Sequence, residues 1–506
     1  MRAGDLEGAV SGGAEGAAAL GKLTSVVLDA LAEGAVTRGG PLPAGGPQAV
    51  ARRLRAAVGP VLPEYGTGAE EALRTVTRAV AEGAADPADP WCVAHLHCPP
   101  LAVAAAADLA ASALNPSMDS WDQAPAAAVL EQEVTAALGA LVHPGGPAPD
   151  ALVTSGGTEA NLVALLLARE RAGAATVRVV CGDTAHHSVR RAAWLLGLPE
   201  PVVLPCRDGR LDPAAVDRAL TGLAAPALVV ATAGTTDEGR IDPLPQLADV
   251  ARRHGAELHV DAAYGGPLLF SDRLAPRLAG LSAATSVTFD LHKLGWQPVA
   301  AGLLTVPDSA LLAPLALTAD YLNADDDTEA GLPDLLGRSL RTTRRPDVLK
   351  IATTLRALGR TGLGALVEHC VRAAEELAAR VDAHPRLRRR PGDTGISTVL
   401  FRPAAADALT GEAGDALVAE VRRVLLAEGR AVVGRAVAED ADGRRRLWLK
   451  ATLLHPRTAG EDLEGLLDLV AATAAAVTPA VATTPGAATA AAAGRIRTGN
   501  EPEGPR

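Results

Sequence analysis

The chain has 506 residues, and 59 Asp+Glu against 48 Lys+Arg leave a formal net charge of −11. That length exceeds one ordinary domain, and 48% hydrophobic with 21% charged residues is globular rather than disordered composition. The acidic balance argues against nucleic acid as the main partner, and no run of about 18 uninterrupted strongly apolar residues supports a membrane span. The N-terminus lacks a basic stretch followed by an apolar core and a cleavage site, so export is not expected. Five cysteines (Cys92, Cys98, Cys181, Cys206 and Cys370) form no CxxC pair. They read as reduced thiols of a cytoplasmic protein, not as a disulfide framework or a zinc site.

In chain order, residues 1–20 are Gly/Ala-rich and expected to be poorly ordered. Apolar positions then recur at helical spacing to about residue 85, giving an N-terminal helical segment over 1–85. From 86 to 350 short apolar runs alternate with amphipathic helical patterns. Strands are predicted at 151–154, 176–181, 201–205, 227–232, 257–260 and 285–289, with helices near 158–172, 188–197, 212–220 and 244–254 between them. Such alternation implies crossover connections and a mostly parallel, buried sheet. A long helical pattern runs from about 345 to 383. Short strands at 396–401 and 446–451, with helices between and after them, complete a small α+β domain over 351–477. Residues 478–506, rich in Ala, Thr, Pro and Gly, read as a disordered tail.

Rare residues are the informative ones in an Arg- and Ala-rich chain. Only four lysines occur, Lys22, Lys293, Lys350 and Lys450. Lys293 follows an apolar strand, between His292 and Leu-Gly-Trp, in a mostly nonpolar setting. Such surroundings depress an amine pKa and favour a Schiff base with a carbonyl cofactor, although for this position taken alone a lysine snorkelling at a sheet edge is the simpler reading. Asp261 closes the apolar strand Leu-His-Val. At the C-terminal end of a buried parallel strand it points into the ligand crevice of an α/β sheet, where it can hold a pyridine nitrogen protonated; the alternative is a turn cap. Gly156, Gly157 and Thr158 join a strand to a helix, and free amides there suit a phosphate or mark a plain N-cap turn. Thr236 follows the next apolar strand and faces the same crevice. His186 and His187 follow the strand at 176–181. An imidazole there can stack on a cofactor ring, and adjacent histidines point apart, which disfavours a metal. Tyr321 lies in an acidic run without apolar period, a pattern for a mobile catalytic loop rather than for core.

Their order along the chain is more specific than any one of them. Phosphate turn, His186, Gly234-Thr235-Thr236, Asp261-Ala-Ala-Tyr264 and His292-Lys293 each follow a predicted strand. In this the chain resembles the pyridoxal-phosphate (PLP) decarboxylases of the group II family over roughly residues 90–475. The resemblance implies an α/β PLP-dependent transferase fold of type I: a large domain with a mostly parallel sheet, a small C-terminal α+β domain, and a homodimer with active sites at the interface. It implies that Lys293 carries the cofactor, Asp261 partners the pyridine nitrogen, His186 stacks on the ring and Ala263 lies on the other face. Gly157 and Thr158 would hold the phosphate, aided by His292; Thr236 would contact the cofactor's carboxylate-side substituents; Tyr321 would protonate the carbon left by the carboxylate. His97 and the segment Asn115–Pro125, with Trp121 and Asp122, resemble the family's substrate side, and Asp119 or Asp122 could pair with a distal ammonium.

Many relatives have Asn-Pro-His-Lys or Asp-Pro-His-Lys where this chain has Asp290-Leu291-His292-Lys293. A carboxylate repels phosphate, so a hydrogen-bonded structural role is expected for Asp290. Arg341–Arg345, Leu449–Thr458 and Gln297-Pro298 are similar to the bacterial diaminobutyrate and lysine-type members. The function so implied is decarboxylation of an L-amino acid, a diamino or basic one, to an amine and carbon dioxide. Other reactions of this fold, transamination or aldehyde release, and a non-catalytic descendant are the alternatives.

Overall fold

Each apolar run expected as a strand between 151 and 289 forms one, because strands buried on both faces need continuous apolar sequence. The computed structural model describes residues 9–173, 176–223, 225–316, 326, 329–409 and 412–483. The strands are β1 (Asp150–Thr154), β2 (Arg178–Gly182), β3 (Val202–Leu204), β4 (Ala227–Thr232), β5 (Glu257–Asp261) and β6 (Ser286–Asp290). A seventh, β7 (Gly302–Val306), was not expected. The sheet order is β1-β7-β6-β5-β4-β2-β3, and only β7 runs antiparallel to its neighbours, β1 and β6. Helices Gly157–Arg171, Ser188–Leu195, Pro213–Thr221 and Leu244–Arg253 make the crossovers. Asp212 caps the third of these by accepting from Ala214 N–H.

The C-terminal part carries a four-stranded antiparallel sheet of β8 (Leu387–Arg389), β9 (Thr398–Pro403), β10 (Gly434–Glu439) and β11 (Arg445–Thr452), in the order β10-β11-β9-β8. β8 and β10 were missed: the first has three residues, and the second alternates buried and exposed through Arg435 and Glu439 without a long apolar run. Helix Val348–Ala383 turns at Gly359 (φ 63°, ψ 177°), a conformation that glycine adopts without steric cost. Val348, Ile351, Val367 and Val371 pack in the core of the large sheet, whereas Ala374, Leu377 and Val381 pack in the second core. The boundary expected at 350–351 thus falls inside one helix that both cores share.

At the N-terminus, helices Gly13–Arg38, Gly46–Val58 and Ala69–Gly83 occupy the helical segment. The first begins inside the stretch expected to lack order, since alanine has the highest helix propensity and Ala19 and Ala30 are buried. For the same reason the last helix, Gly460–Thr483, continues through residues 478–483, which the sequence placed in a tail. Two helices, Pro125–Val142 and Gly460–Val481, are long and apolar enough to cross a membrane by length and composition. Each buries a face in a core, through Val134, Leu138 and Val142 in the first and Leu463, Leu466 and Val470 in the second.

Candidate active site

The loops leaving the carboxyl ends of β1, β2, β4, β5 and β6 converge, as in open α/β sheets generally. They enclose a cavity of about 490 Å³ into which Gly157, Thr158, His186, Thr236, Asp261, Ala263, His292 and Lys293 all project. Every described residue assigned by sequence to the cofactor side therefore lines one cavity. Tyr321 lies outside the described residues. On the substrate side, Leu96 rather than His97 lines the cavity, and neither Trp121 nor Asp122 does. His97 and Asp122 are exposed and Trp121 is half-buried. The Ser120 hydroxyl donates to Asp122 Oδ1 at 2.6 Å, and Gln123 Nε2 donates to Asp119 Oδ1 at 2.9 Å.

The four lysines divide by environment. Lys22 is exposed on the first helix. Lys350 is buried against Asp347 at 3.0 Å and Asp108 at 3.1 Å. Lys450 donates to the Thr236 carbonyl at 3.0 Å and Asp237 at 3.2 Å. Lys293 lines the cavity with its Nζ 2.9 Å from Asp290 Oδ2. Asp290 is 1% exposed, and among the described residues its carboxylate is met by ion-pair contacts rather than by an oriented hydrogen bond. The hydrogen-bonded structural role expected for it is corrected: its neighbours are the Lys293 ammonium and, at 3.5 Å, His292 Nε2. The reason is the turn after β6, which brings residues three apart in sequence face to face. Burial lowers the His292 pKa, and the Asp290 charge opposes that shift.

Asp261 ends β5 with Oδ1 accepting from the Ala263 N–H at 3.1 Å and Oδ2 accepting from Asn161 Nδ2 at 2.8 Å. His186 Nδ1 lies 2.8 Å from the Ser188 hydroxyl and accepts from the Ser188 N–H at 3.4 Å. Burial holds its pKa below the usual histidine range, against the pull of Asp261, so the ring is neutral and its proton sits on Nε2. The His187 ring lies 4.2 Å away, centroid to centroid, and tilted by 59°. Among the described residues no group of three or more His, Cys, Asp or Glu could hold a metal ion.

The turn between β1 and its helix is tightly enclosed. A Cβ on Gly157 would lie 3.1 Å from Ala263 Cβ and 3.2 Å from Asp290 Oδ2, and one on Gly156, at φ 155°, 3.0 Å from His292 Cε1. No side chain caps helix Gly157–Arg171, so its first amides are left for an anion. An amine, an uncapped helix start and a strand-end carboxylate around one cavity are the donor set that an aldehyde, a phosphate and a pyridine nitrogen require. Pyridoxal phosphate combines these groups, so the residues fit it.

The profile of the pyridoxal-dependent decarboxylase conserved domain matches residues 60–403. The chain belongs to this family. An L-2,4-diaminobutyrate decarboxylase of Rhizobium meliloti (strain 1021) is 42% identical over 429 residues, 82% of this chain and 83% of the relative. One from Acinetobacter baumannii is 32% identical over 69% of this chain and 74% of the relative. Among solved structures, the glutamate decarboxylase domain of a diaminobutyrate–pyruvate transaminase and L-2,4-diaminobutyrate decarboxylase from Vibrio parahaemolyticus superposes with a TM-score of 0.80 at 30% identity. That match covers 93% of this chain and 98% of the other. The chain is thus a PLP-dependent decarboxylase, a carboxy-lyase of the expected α/β fold.

Sequence reasoning missed several groups at this decarboxylase's site. Asn161 was not singled out, though a polar residue on the apolar face of a core helix was a usable signal. Tyr264 lines the cavity and is buried, its hydroxyl 2.8 Å from Ser397 Oγ and 3.0 Å from Thr398 Oγ1; burial pushes its pKa up to about 12. The Asp290–Lys293 pairing was legible only as a spacing of three.

Proposed function

We propose that this decarboxylase acts on L-2,4-diaminobutyrate or a closely similar diamino acid, releasing carbon dioxide and the corresponding diamine. The observation that carries the substrate is the 42% identity to a diaminobutyrate decarboxylase across 82% of the chain. When bound, PLP supplies an aldehyde for an amine and a pyridine ring that takes up the electron pair left by the departing carboxylate. Lys293 would hold the aldehyde carbon, with Asp290 ion-paired beside it. Asp261 would keep the ring nitrogen protonated. His186 would stack on one face of the ring and Ala263 would lie against the other. Gly157 and Thr158 would present amides to the phosphate, with His292 near, and Thr236 would contact the cofactor's carboxylate-side substituents.

We assign His97, Trp121 and Asp122 to the substrate side on the family resemblance, with Asp119 or Asp122 as partner for the distal ammonium; none of the four lines the cavity itself. Tyr321 delivers a proton to the substrate Cα. Tyr321→Phe should keep initial carbon dioxide release yet divert product from amine toward aldehyde, with inactivation that added cofactor reverses. Amine as sole product at the wild-type rate would remove Tyr321 from this role.

The working unit is a homodimer in the cytoplasm. Support for the dimer comes from exposed apolar side chains on the N-terminal helices, and for a reducing compartment from five free cysteines. A screen of carbon dioxide and amine formation across diaminobutyrate, ornithine, lysine, glutamate, tyrosine and tryptophan tests the substrate. We expect kcat/KM highest for diaminobutyrate by about tenfold or more, on the scale of one well-placed ion pair. Preference for an aromatic or acidic substrate overturns the reading.

A further inference from the structure

The hydrogen bonds behind Asp261 and His186 converge on one side chain. Asn161 stands in helix Gly157–Arg171 among Ala160, Val163 and Ala164, and is fully buried. Its Nδ2 donates to Asp261 Oδ2 at 2.8 Å and to Ser188 Oγ at 2.9 Å. Its Oδ1 accepts from the Thr288 hydroxyl at 2.7 Å and lies 3.0 Å from His259 Nε2. All four hydrogen-bonding positions of the amide are filled. An ionised carboxylate only accepts, so the amide nitrogen must face Asp261 and the oxygen must face Thr288 and His259. His259 then donates from Nε2 and accepts at Nδ1 from Ser286 Oγ, 2.9 Å away. On the other branch, Ser188 Oγ accepts from Asn161 and donates its own hydroxyl hydrogen bond to His186 Nδ1, which leaves the ring's proton on Nε2.

We propose that Asn161 is the positioning residue of this site: it holds the Asp261 carboxylate toward the cofactor's ring nitrogen and, through Ser188, sets the tautomer of His186. The inference rests on the reading of Asp261 as the ring-nitrogen partner. Asp261 receives its other hydrogen bond from Ala263, inside its own turn. Asn161 is therefore the donor that ties the carboxylate to a separate element. Without it the carboxylate is free to rotate, and its buried charge loses a donor.

The test compares PLP with 1-deazapyridoxal phosphate, in which carbon replaces the ring nitrogen, by measuring dissociation constants on the full-length protein. Asn161→Leu, close in volume, should weaken PLP binding about tenfold or more, as expected for a hydrogen bond to a charged group, and the deaza analogue by less than about twofold. Equal losses for both ligands, or no loss for PLP, would mean that Asn161 only packs the helix, and would overturn the proposal. Asn161→Asp keeps the acceptor side intact and guards against misfolding of the leucine variant. Burial and like charge favour a proton shared between the introduced carboxyl and Asp261, which restores the donor at low pH. Its PLP dissociation constant relative to wild type should therefore rise with pH; a ratio independent of pH counts against the inference. Asp261→Asn is the control. If it too fails to distinguish the two ligands, the reading of Asp261 falls and the inference with it. If it distinguishes them and Asn161→Leu does not, only the inference falls.

Discussion

Lys293 differs from the other three lysines in what its amine meets: a cavity and the buried carboxylate of Asp290. Lys293→Ala should fold and lose the borohydride-stable cofactor label on the chain. Undiminished labelling would move the assignment to Lys350 or Lys450. His259 makes a second residue-scale prediction. Burial pushes its pKa down to about 4 from 6.5 in the unfolded chain. Above about pH 6.5 both states are neutral and the residue is silent. As pH falls below that value the unfolded chain takes a proton that the folded chain refuses, so stability is lost progressively down to about pH 4, by an amount of a few kcal/mol. Urea midpoints at pH 7 and pH 5 should fall more steeply for wild type than for His259→Gln, and parallel slopes would assign the pH response to other histidines.

At the scale of elements, the antiparallel strand β7 packs against the Gly156–Thr158 turn, to which the proposed function assigns the phosphate. Gly302 pairs with Thr154 on β1 and with Asp290 on β6. A Cβ there would meet Gly156 Cα at 2.5 Å and Thr154 Oγ1 at 2.6 Å, both on backbone or a short side chain that cannot swing aside. Gly302→Ala should cost roughly 1–3 kcal/mol of stability by overpacking and weaken PLP binding through the displaced turn. Thermal unfolding with and without cofactor separates the two effects; an unchanged cofactor affinity would detach β7 from the phosphate site. Its sequence, Gly-Leu-Leu-Thr-Val, is too short for periodicity to distinguish strand from helix.

For the whole molecule, the large-domain site and the small domain are tied together by Tyr264, whose hydroxyl reaches Ser397 and Thr398, and by the helix Val348–Ala383 that both cores share. The N-terminal helices leave apolar side chains outside either core. Val76 and Val80, 45% and 55% exposed, stand one turn apart on helix Ala69–Gly83, and Leu28 on Gly13–Arg38 is 61% exposed. Charges there should prevent burial against a second copy. If the proposed dimer forms through this face, Val76→Asp with Val80→Asp should shift its sedimentation toward monomer with the far-ultraviolet spectrum kept. A dimer of unchanged stability would place the interface elsewhere.

The sequence by itself determined the parallel part of the sheet, the helices that cross it and the family. Buried strands must be continuously apolar, and the ligand crevice of such a sheet lies at strand ends, so both leave linear signals. From that order alone Lys293, Asp261, His186 and the Gly157 turn, which line one cavity, were legible as neighbours. β7, β8 and β10 were not, because a short strand is stabilised by neighbours that lie far away in sequence. Residues 13–20 and 478–483 misled in the other direction, since low complexity suggested disorder where high helix propensity forms helix; residues 1–8 and 484–506 lie outside the described residues. Asp290 and Asn161 show what only the tertiary structure decided. Whether a buried carboxylate is hydrogen-bonded or ion-paired, and which partners fill an amide, depends on atoms brought together from up to 127 residues away. A hydrogen bond acts over about 3 Å of space whatever the distance along the chain, and only the folded sheet sets that spacing.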